Sequence, residues 1–504
     1  MTTFNYHTAF QDLRQVVEEE WVWTNEKDIL PYAVNMDPSG DVFPAGVVSP
    51  ANADEVRRVI EIANRYRFPL HPISKGLQHG LGMATAVQPS SVTMSLGRLN
   101  KIISYDPYLG YVVIEPGVTF QQLYDFLQSE DAPYWISPTS GPVEASVLGN
   151  ALDKGAGYTP FGNNFANLIG LEVILGDGRV LKTGDGALEN SVSQFTHKGG
   201  FGPMLDALFA QSNYGVVVKA GLWLMPAPSA ARGFVFTFER QDDIGRIADI
   251  AGRLKLLGAI PSTVSIANDQ FCLGLQASRP IQHGTANQPP FGEADLGQLR
   301  QAHGVGAWNV IGCVYGREDG LSPQIEHIRQ MFADIPGMKY LTEEDASQKR
   351  AFAYRFDIAK GIPNATEVDL YNMHTNGAAL SFLPSVPFCG SYALEAANLS
   401  REICSAHGFA YLNQFLCSPR SMRNTQHIVF DSVDPESRSR AKACYSELNS
   451  VFQSKGYLVS RPPTIFQEEI MDGLGMHATI AREIKKVFDP NGILAPGRFG
   501  IRCR

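Results

Sequence analysis

Between Pro138 and Gly162 the chain reads PTSGPVEASVLGNALDKGAGYTPFG, and small residues crowd it as they do where a backbone must press against a large flat ligand. Gly149, Gly155, Gly157 and Gly162 admit close approach and positive φ, while Ser146, Asn150 and Thr159 bring short polar side chains able to hold phosphate or ring oxygens. Taken alone, such a segment is as readily a Gly-rich surface loop. A second segment shifts the balance. Pro69 to Gly82, PLHPISKGLQHGLG, sets another Gly-rich loop directly after an expected strand at Pro69 to Ile73. Successive backbone N–H groups from Ser74 to His79 can form a nest for a pyrophosphate, with Lys75 supplying charge if it turns inward. The fingerprint G-x-G-x-x-G is absent, since Gly80-Leu81-Gly82, Gly155-Ala156-Gly157 and Gly304-Val305-Gly306 all lack the third glycine, and neither a Walker A motif nor H-E-x-x-H occurs. A nucleotide bound without these motifs points to a flavin held between loops of a mixed sheet.

At 504 residues the chain exceeds one ordinary core, so two domains, or one split domain with an insertion, are expected. Hydrophobic residues at 44% against charged residues at 18% mark a globular protein rather than a disordered one. No apolar run approaches a membrane span and the N-terminal residues carry no targeting pattern, so a cytoplasmic protein is expected. A formal charge of −9 argues against a nucleic-acid or anionic-membrane partner and favours a small molecule. The seven cysteines have no C-x-x-C spacing, so free thiols are expected, with neither a disulfide framework nor a metal site.

The first half reads as alternating helices and strands. Asn52 with Glu55 caps a helix to Tyr66, and strands follow at Val92 to Leu96 and Tyr111 to Ile114, then a helix over Phe120 to Leu127. Leu171 to Thr183 alternates about Asp177-Gly178 and predicts a β-hairpin with a type I′ turn. A buried strand starts at Gly215, and the exit at Pro226 is a domain boundary. Strand-like pieces at Gly233 to Phe238, Asn309 to Tyr315 and Ala379 to Leu383, with helices at Leu394 to His407 and Arg438 to Gln453, then suggest a separate α+β domain. Gln276 to Leu299 reads as a mobile loop. A helix over Met476 to Phe488 runs into DPNGILAPGRFG, whose turn chemistry aims Arg498 in a fixed direction.

PISKG with its following GLG, SVLGNALDKGAGYTPFG, GLEVILGDGRVLKTG, FGPMLDALFAQSNYGVVVKAGLWLMP, WNVIGCVYG and DPNGILAPGRFGI, in collinear order over nearly the whole chain, together resemble the vanillyl-alcohol oxidase and p-cresol methylhydroxylase family. The resemblance implies an α+β fold of the vanillyl-alcohol oxidase type in two parts. An FAD-binding domain comprises 1–226 and 457–504, and a substrate-binding cap at 227–456 lies over the flavin ring. It also implies cofactor contacts from Ile73, Ser74, Lys75, Gly76, Leu77 and Gln78 to the pyrophosphate, and from Ser146, Gly149, Asn150, Gly155 and Thr159 to the middle of FAD. Gly215, Val216 and Val217 would lie further along the cofactor, and Arg498 near the flavin, suited to stabilising negative charge on the reduced ring. Relatives of this kind are commonly dimers or assemblies of dimers.

The same resemblance exposes departures. The family's phenol oxidases hold a phenolate with two tyrosines and an arginine, and matching the motifs puts Leu81 and Ser460 at the tyrosines while Arg461 keeps the arginine. Arg461 beside Pro462-Pro463 could equally neutralise a buried carboxylate. The family's carboxylate near flavin N5 is matched to Asn163, which cannot act as a base. The linking histidine falls near Asn424, so non-covalent FAD is expected, with His427 or His79 as the alternatives for attachment. Tyr315, His374, Asn376 and Arg420 are further polar candidates, Tyr315 and Asn376 as groups that orient a hydroxyl. The leading reading is an FAD-dependent oxidase taking a hydride from an aromatic or polyketide-like alcohol or phenol-type molecule, with O₂ as acceptor. A dehydrogenase using another acceptor, and a non-redox binding protein or cyclase with structural FAD, are the alternatives.

Overall fold

The computed structural model of the chain describes residues 5–276, 292–374 and 376–503. Strand Leu70–Ile73 pairs in parallel with Val92–Ser95, which pairs in parallel with Gly46–Val48, and Val22–Trp23 closes this four-stranded sheet antiparallel to Gly46–Val48. Helix Ala53–Tyr66 supplies the crossover into Leu70–Ile73. It begins at the Asn52 cap, whose side chain accepts the Glu55 N–H, and buries Val56, Val59, Ile60, Ile62 and Ala63 as one stripe. Beyond Leu70 the sheet is extended by the C-terminal segment: the Leu70 N–H donates to Ile493 O and the Ala495 N–H to Leu70 O, both at 2.8 Å.

A second, five-stranded antiparallel sheet runs in the order Ile102–Asp106, Tyr111–Ile114, Gly215–Trp223, Leu168–Leu175, Val180–Lys182. The expected hairpin is the Leu168–Leu175 and Val180–Lys182 pair, but its turn is not type I′. Only Gly178 has positive φ (88°), and the Leu175 N–H donates to Arg179 O at 2.9 Å across a three-residue loop. Two successive positive-φ residues are required for type I′, and Asp177 does not supply the first.

The third sheet is antiparallel throughout. Its main path runs Lys339–Leu341, Ala230–Phe238, Trp308–Gly316, Val264–Asn268, Leu412–Cys417, Ser421–Asp431, Gly377–Phe382, and Ser385–Pro387 also pairs with Ser421–Asp431. Helices Ile244–Leu256, Glu318–Phe332, Gly390–Ala406 and Pro435–Ser454 cover it around a core that includes Phe234, Phe236, Trp308, Phe382 and Phe415. Phe466 and Ile470, from beyond residue 457, join the same core. Of the expected loop from Gln276 to Leu299, residues 277–291 lie outside the described residues, and the remainder is corrected: Glu293–His303 is a helix that ends at Gly304 in the left-handed region. All seven cysteines carry free thiols, and Cys272, Cys313, Cys404, Cys417 and Cys444 are buried. Among the described residues no helix is long and apolar enough to cross a membrane, and no cluster of His, Cys, Asp and Glu is placed to hold a metal.

Candidate active site

The parallel strand Leu70–Ile73 delivers the chain into the loop 74–82, where Gly76 turns it with φ 67°. A Cβ on Gly76 would stand 2.7 Å from the Ala84 Cβ, so glycine is required on two counts. Facing this loop, Ser146 caps the short helix Val147–Leu152: its Oγ accepts the Gly149 N–H at 2.8 Å and donates to Pro116 O at 2.6 Å. A Cβ on Gly149 would lie 2.4 Å from Ser74 Oγ, so the loop packs its Ser74 side chain directly on the helix backbone. Asn213 Oδ1 is buried in the same wall without a hydrogen-bond partner.

These segments bound a cavity of about 340 Å³ that continues under the large antiparallel sheet. Ile73 to Gln78, Ser146, Gly149, Asn150 and Gly215 to Val217 all line it, together with Leu81, Arg461 and Arg498. The glycine-bounded entry, its row of loop N–H groups and the orphaned Asn213 oxygen fit the dinucleotide part of FAD. Lys75 also lines the cavity. Gly155 and Thr159 are not in the lining. The Asn150 amide occupies the space a Gly155 Cβ would need, 2.3 Å away, and buried Thr159 bonds Ser137 Oγ at 2.8 Å, so both act on the walls rather than the cavity.

Three expected catalytic positions also fall outside. Asn163 pairs with Ala156 in a local reversal, and its side chain accepts the Ala166 N–H at 3.1 Å as the cap of a short 3₁₀ turn. Two carboxylates line the cavity, Glu367 and Asp153, the latter ten residues before Asn163. Ser460 turns its hydroxyl back to Leu383 O at 3.0 Å, while its carbonyl receives the Gln211 amide at 2.9 Å. Tyr315 donates to Ala359 O at 2.7 Å and packs edge-on against Trp135. Asn424 is fully buried on hydrogen bonds to Asn413 and Ser400, away from the cavity, so its identity carries no information on cofactor attachment.

Arg461 grips Asp153 through Nε at 3.0 Å and through a second, shorter bond, so it does neutralise a buried carboxylate, and that carboxylate faces the cavity. Arg498 donates to Gln78 Oε1 at 2.7 Å and to Thr464 Oγ1, and burial lowers its pKa. Burial, with the Arg498 charge added to it, pushes His71 down to about 3. At the cap end stand Glu367, Tyr371, Arg423 and His427, none of them singled out from the sequence except His427. Glu367 takes bonds from Arg355 at 2.7 Å and Gln414 at 2.9 Å, and Arg355 lies over the rings of Tyr158 and Tyr354. Burial lowers the His427 pKa, outweighing nearby Glu367, so its ring is neutral near pH 7. His427 Nδ1 meets Ser381 Oγ at 3.3 Å, and Nε2 is buried without a hydrogen-bond partner, 3.8 Å from Glu367.

A family model described as an FAD binding domain matches residues 44–184. The chain is 33% identical over 504 residues to the flavoprotein subunit of 4-cresol dehydrogenase (hydroxylating) from Pseudomonas putida, covering 99% of this chain and 96% of that one. It is 28% identical to 1'-carboxy-chondrochloren decarboxylase from Chondromyces crocatus, covering 100% and 98%. Among solved structures, p-cresol methylhydroxylase with substrate bound superposes with a TM-score of 0.95 at 32% identity over 99% of this chain and 97% of that one. The isoeugenol complex of 4-ethylphenol oxidase from Gulosibacter chungangensis superposes at 0.94 and 28%, with the same coverage. With the cofactor cradle, the collinear motifs and the fold all in agreement over nearly the full chain, this protein belongs to the vanillyl-alcohol oxidase and p-cresol methylhydroxylase family and is an FAD-dependent oxidoreductase.

Proposed function

We propose that the protein oxidises an aromatic or polyketide-like alcohol, or a phenol-type molecule, with 1–226 and 457–504 holding FAD and 227–456 supplying the substrate cap. One observation carries the reading: a single cavity joins the glycine-bounded loop 73–78 to Asp153, Arg461 and His427. FAD, when bound, supplies the hydride acceptor and passes the electrons on. His427 takes the hydroxyl proton, because its ring is neutral and its Nε2 is free. Arg461, fixed by Asp153, holds the substrate oxygen as negative charge develops on it. Leu81, Leu383, Leu416 and Val368 give an apolar wall, which suits a bulkier substrate than a compact phenol clamped by tyrosines.

Anaerobic addition of aryl alcohols and alkylphenols to the holoenzyme bleaches the flavin absorbance if this reading holds. An absorbance that stays oxidised across the panel, with or without ligand binding, overturns it. Molecular oxygen is the proposed acceptor, supported by the similarity to an oxidase of 4-ethylphenol. Peroxide formed in air at the rate of substrate loss supports oxygen. Turnover only with a cytochrome or quinone assigns a dehydrogenase, as the name of the Pseudomonas putida relative has it. Non-covalent FAD is proposed and acid precipitation tests it: yellow colour kept in the pellet overturns it and leaves His427 or His79, both in the cavity lining, as the alternatives for attachment.

A further inference from the structure

Three arginines line the cavity, Arg423, Arg461 and Arg498, and among the described residues only Arg461 is paired with a carboxylate. Arg498 bonds the neutral Gln78 and Thr464, and Arg423 donates to the Lys154 carbonyl at 3.2 Å. The other acid of the lining, Glu367, is already taken by Arg355. Arg423 and Arg461 are anchored on successive residues, Lys154 and Asp153, so two guanidinium groups converge just past helix Val147–Leu152 with one negative charge between them. Burial and the Arg461 charge push Arg423 down to about 10, which still leaves it a cation near neutrality. A guanidinium placed in a cavity without a counter-charge is costly, and a bound anion supplies the missing partner. The nest proposed for the FAD pyrophosphate is the loop 74–79, where Lys75 stands; among the described residues it bonds Arg498 through Gln78, and no hydrogen bond joins it to Arg423.

We infer that the substrate is itself an anion: an aryl or polyketide-like carboxylate whose acid group docks on Arg423 beside the Arg461–Asp153 pair, with its hydrocarbon body against Leu81, Leu383 and Leu416. The inference rests on the proposed use of this cavity as the oxidation site. A carboxylate is ionised at neutral pH and matches the two-pronged donor face of a guanidinium, whereas a phenol arrives neutral and presents one oxygen.

The test uses the oxidised holoenzyme at pH 7.5, with perturbation of the flavin absorbance and calorimetry as readouts, so no turnover is needed. Probes are benzoate, phenylacetate, 3-phenylpropionate and cinnamate, each against its primary amide. At least one acid binds about tenfold or more tighter than its amide, the range of a charge-assisted hydrogen bond over a neutral one. In Arg423→Ala the ratio drops below about threefold, with FAD content measured as the folding control. Arg423→Gln, which keeps a donor for Lys154 O, serves if the alanine variant does not fold. Equal affinity for acid and amide, absence of binding by every acid, or a preference that survives in these variants overturns the inference. Acid preference without flavin reduction by any alcohol or phenol refutes the oxidase reading alone. Reduction by neutral alcohols without acid preference refutes only the anion.

Discussion

His427 is buried, faces the cavity and has one ring nitrogen with no partner, a state that strands polar surface unless another molecule completes it. Because burial lowers its pKa, the ring accepts a proton at pH 7 and loses that capacity only as the pH falls through a value below 6.5. His427→Gln therefore lowers kcat about 100-fold or more, the usual contribution of a positioned base, while FAD content holds. The acidic limb of the wild-type kcat–pH profile disappears in that variant; a limb that persists there assigns the base elsewhere. Leu81 and Arg461 are legible in the sequence because each sits at a fixed offset inside a motif, GLG and SRPP, and both line the cavity. Asp153 is not legible by that route. It sits in LDKG at a helix end, where a charged pair reads as solvated surface, and only the fold brings Arg461 to it across 308 residues. Asn163 lies outside the lining, on a reversal that pairs it with Ala156 and that motif order alone does not reveal.

Among the elements, strand Ser421–Asp431 carries Arg423, Thr425 and His427 into the cavity, yet its centre is four successive buried polar residues, Asn424 to His427. Hydrophobic alternation cannot mark a strand whose interior faces are polar and hydrogen-bonded, as Asn424 is to Asn413 and Ser400. Elements with ordinary patterning read well: helix Met476–Phe488 and strand Tyr111–Ile114 have the expected bounds. The contact between the phosphate loop and helix Val147–Leu152 yields a sharper expectation. Gly149→Val puts a branched side chain where even a Cβ would be 2.4 Å from Ser74 Oγ and 3.1 Å from Ser146 Oγ, so the side chains at the junction of the two segments are displaced. The ratio of flavin to protein absorbance after purification then drops well below that of the wild type, while far-ultraviolet circular dichroism is kept. Full flavin content in the variant contradicts the cradle.

Across the whole molecule, the C-terminal segment binds the parts that make the cofactor end of the cavity. Lys485 and Asp489 form a fully buried ion pair at 2.7 Å, and Lys485 Nζ also donates to the carbonyls of Leu494 and Asn213. The Asn213 amide donates to Ala495 O and Ile501 O, each at 2.9 Å, two residues before Gly215 enters the lining. Lys485→Met strands the Asp489 carboxylate in the interior and costs about 3–5 kcal/mol, the usual penalty for removing one member of a buried pair. Thermal denaturation of the holoenzyme shows this as a lower midpoint, and FAD affinity weakens with it; an unchanged midpoint removes the pair from the account. Because the Leu70 backbone is bonded on both sides to Ile493 and Ala495, the loop that follows it is braced by residues made more than 400 positions later. The loop therefore gains this brace only once residues 493–495 have been synthesised, and any fragment that stops before them presents the loop without its outer strand.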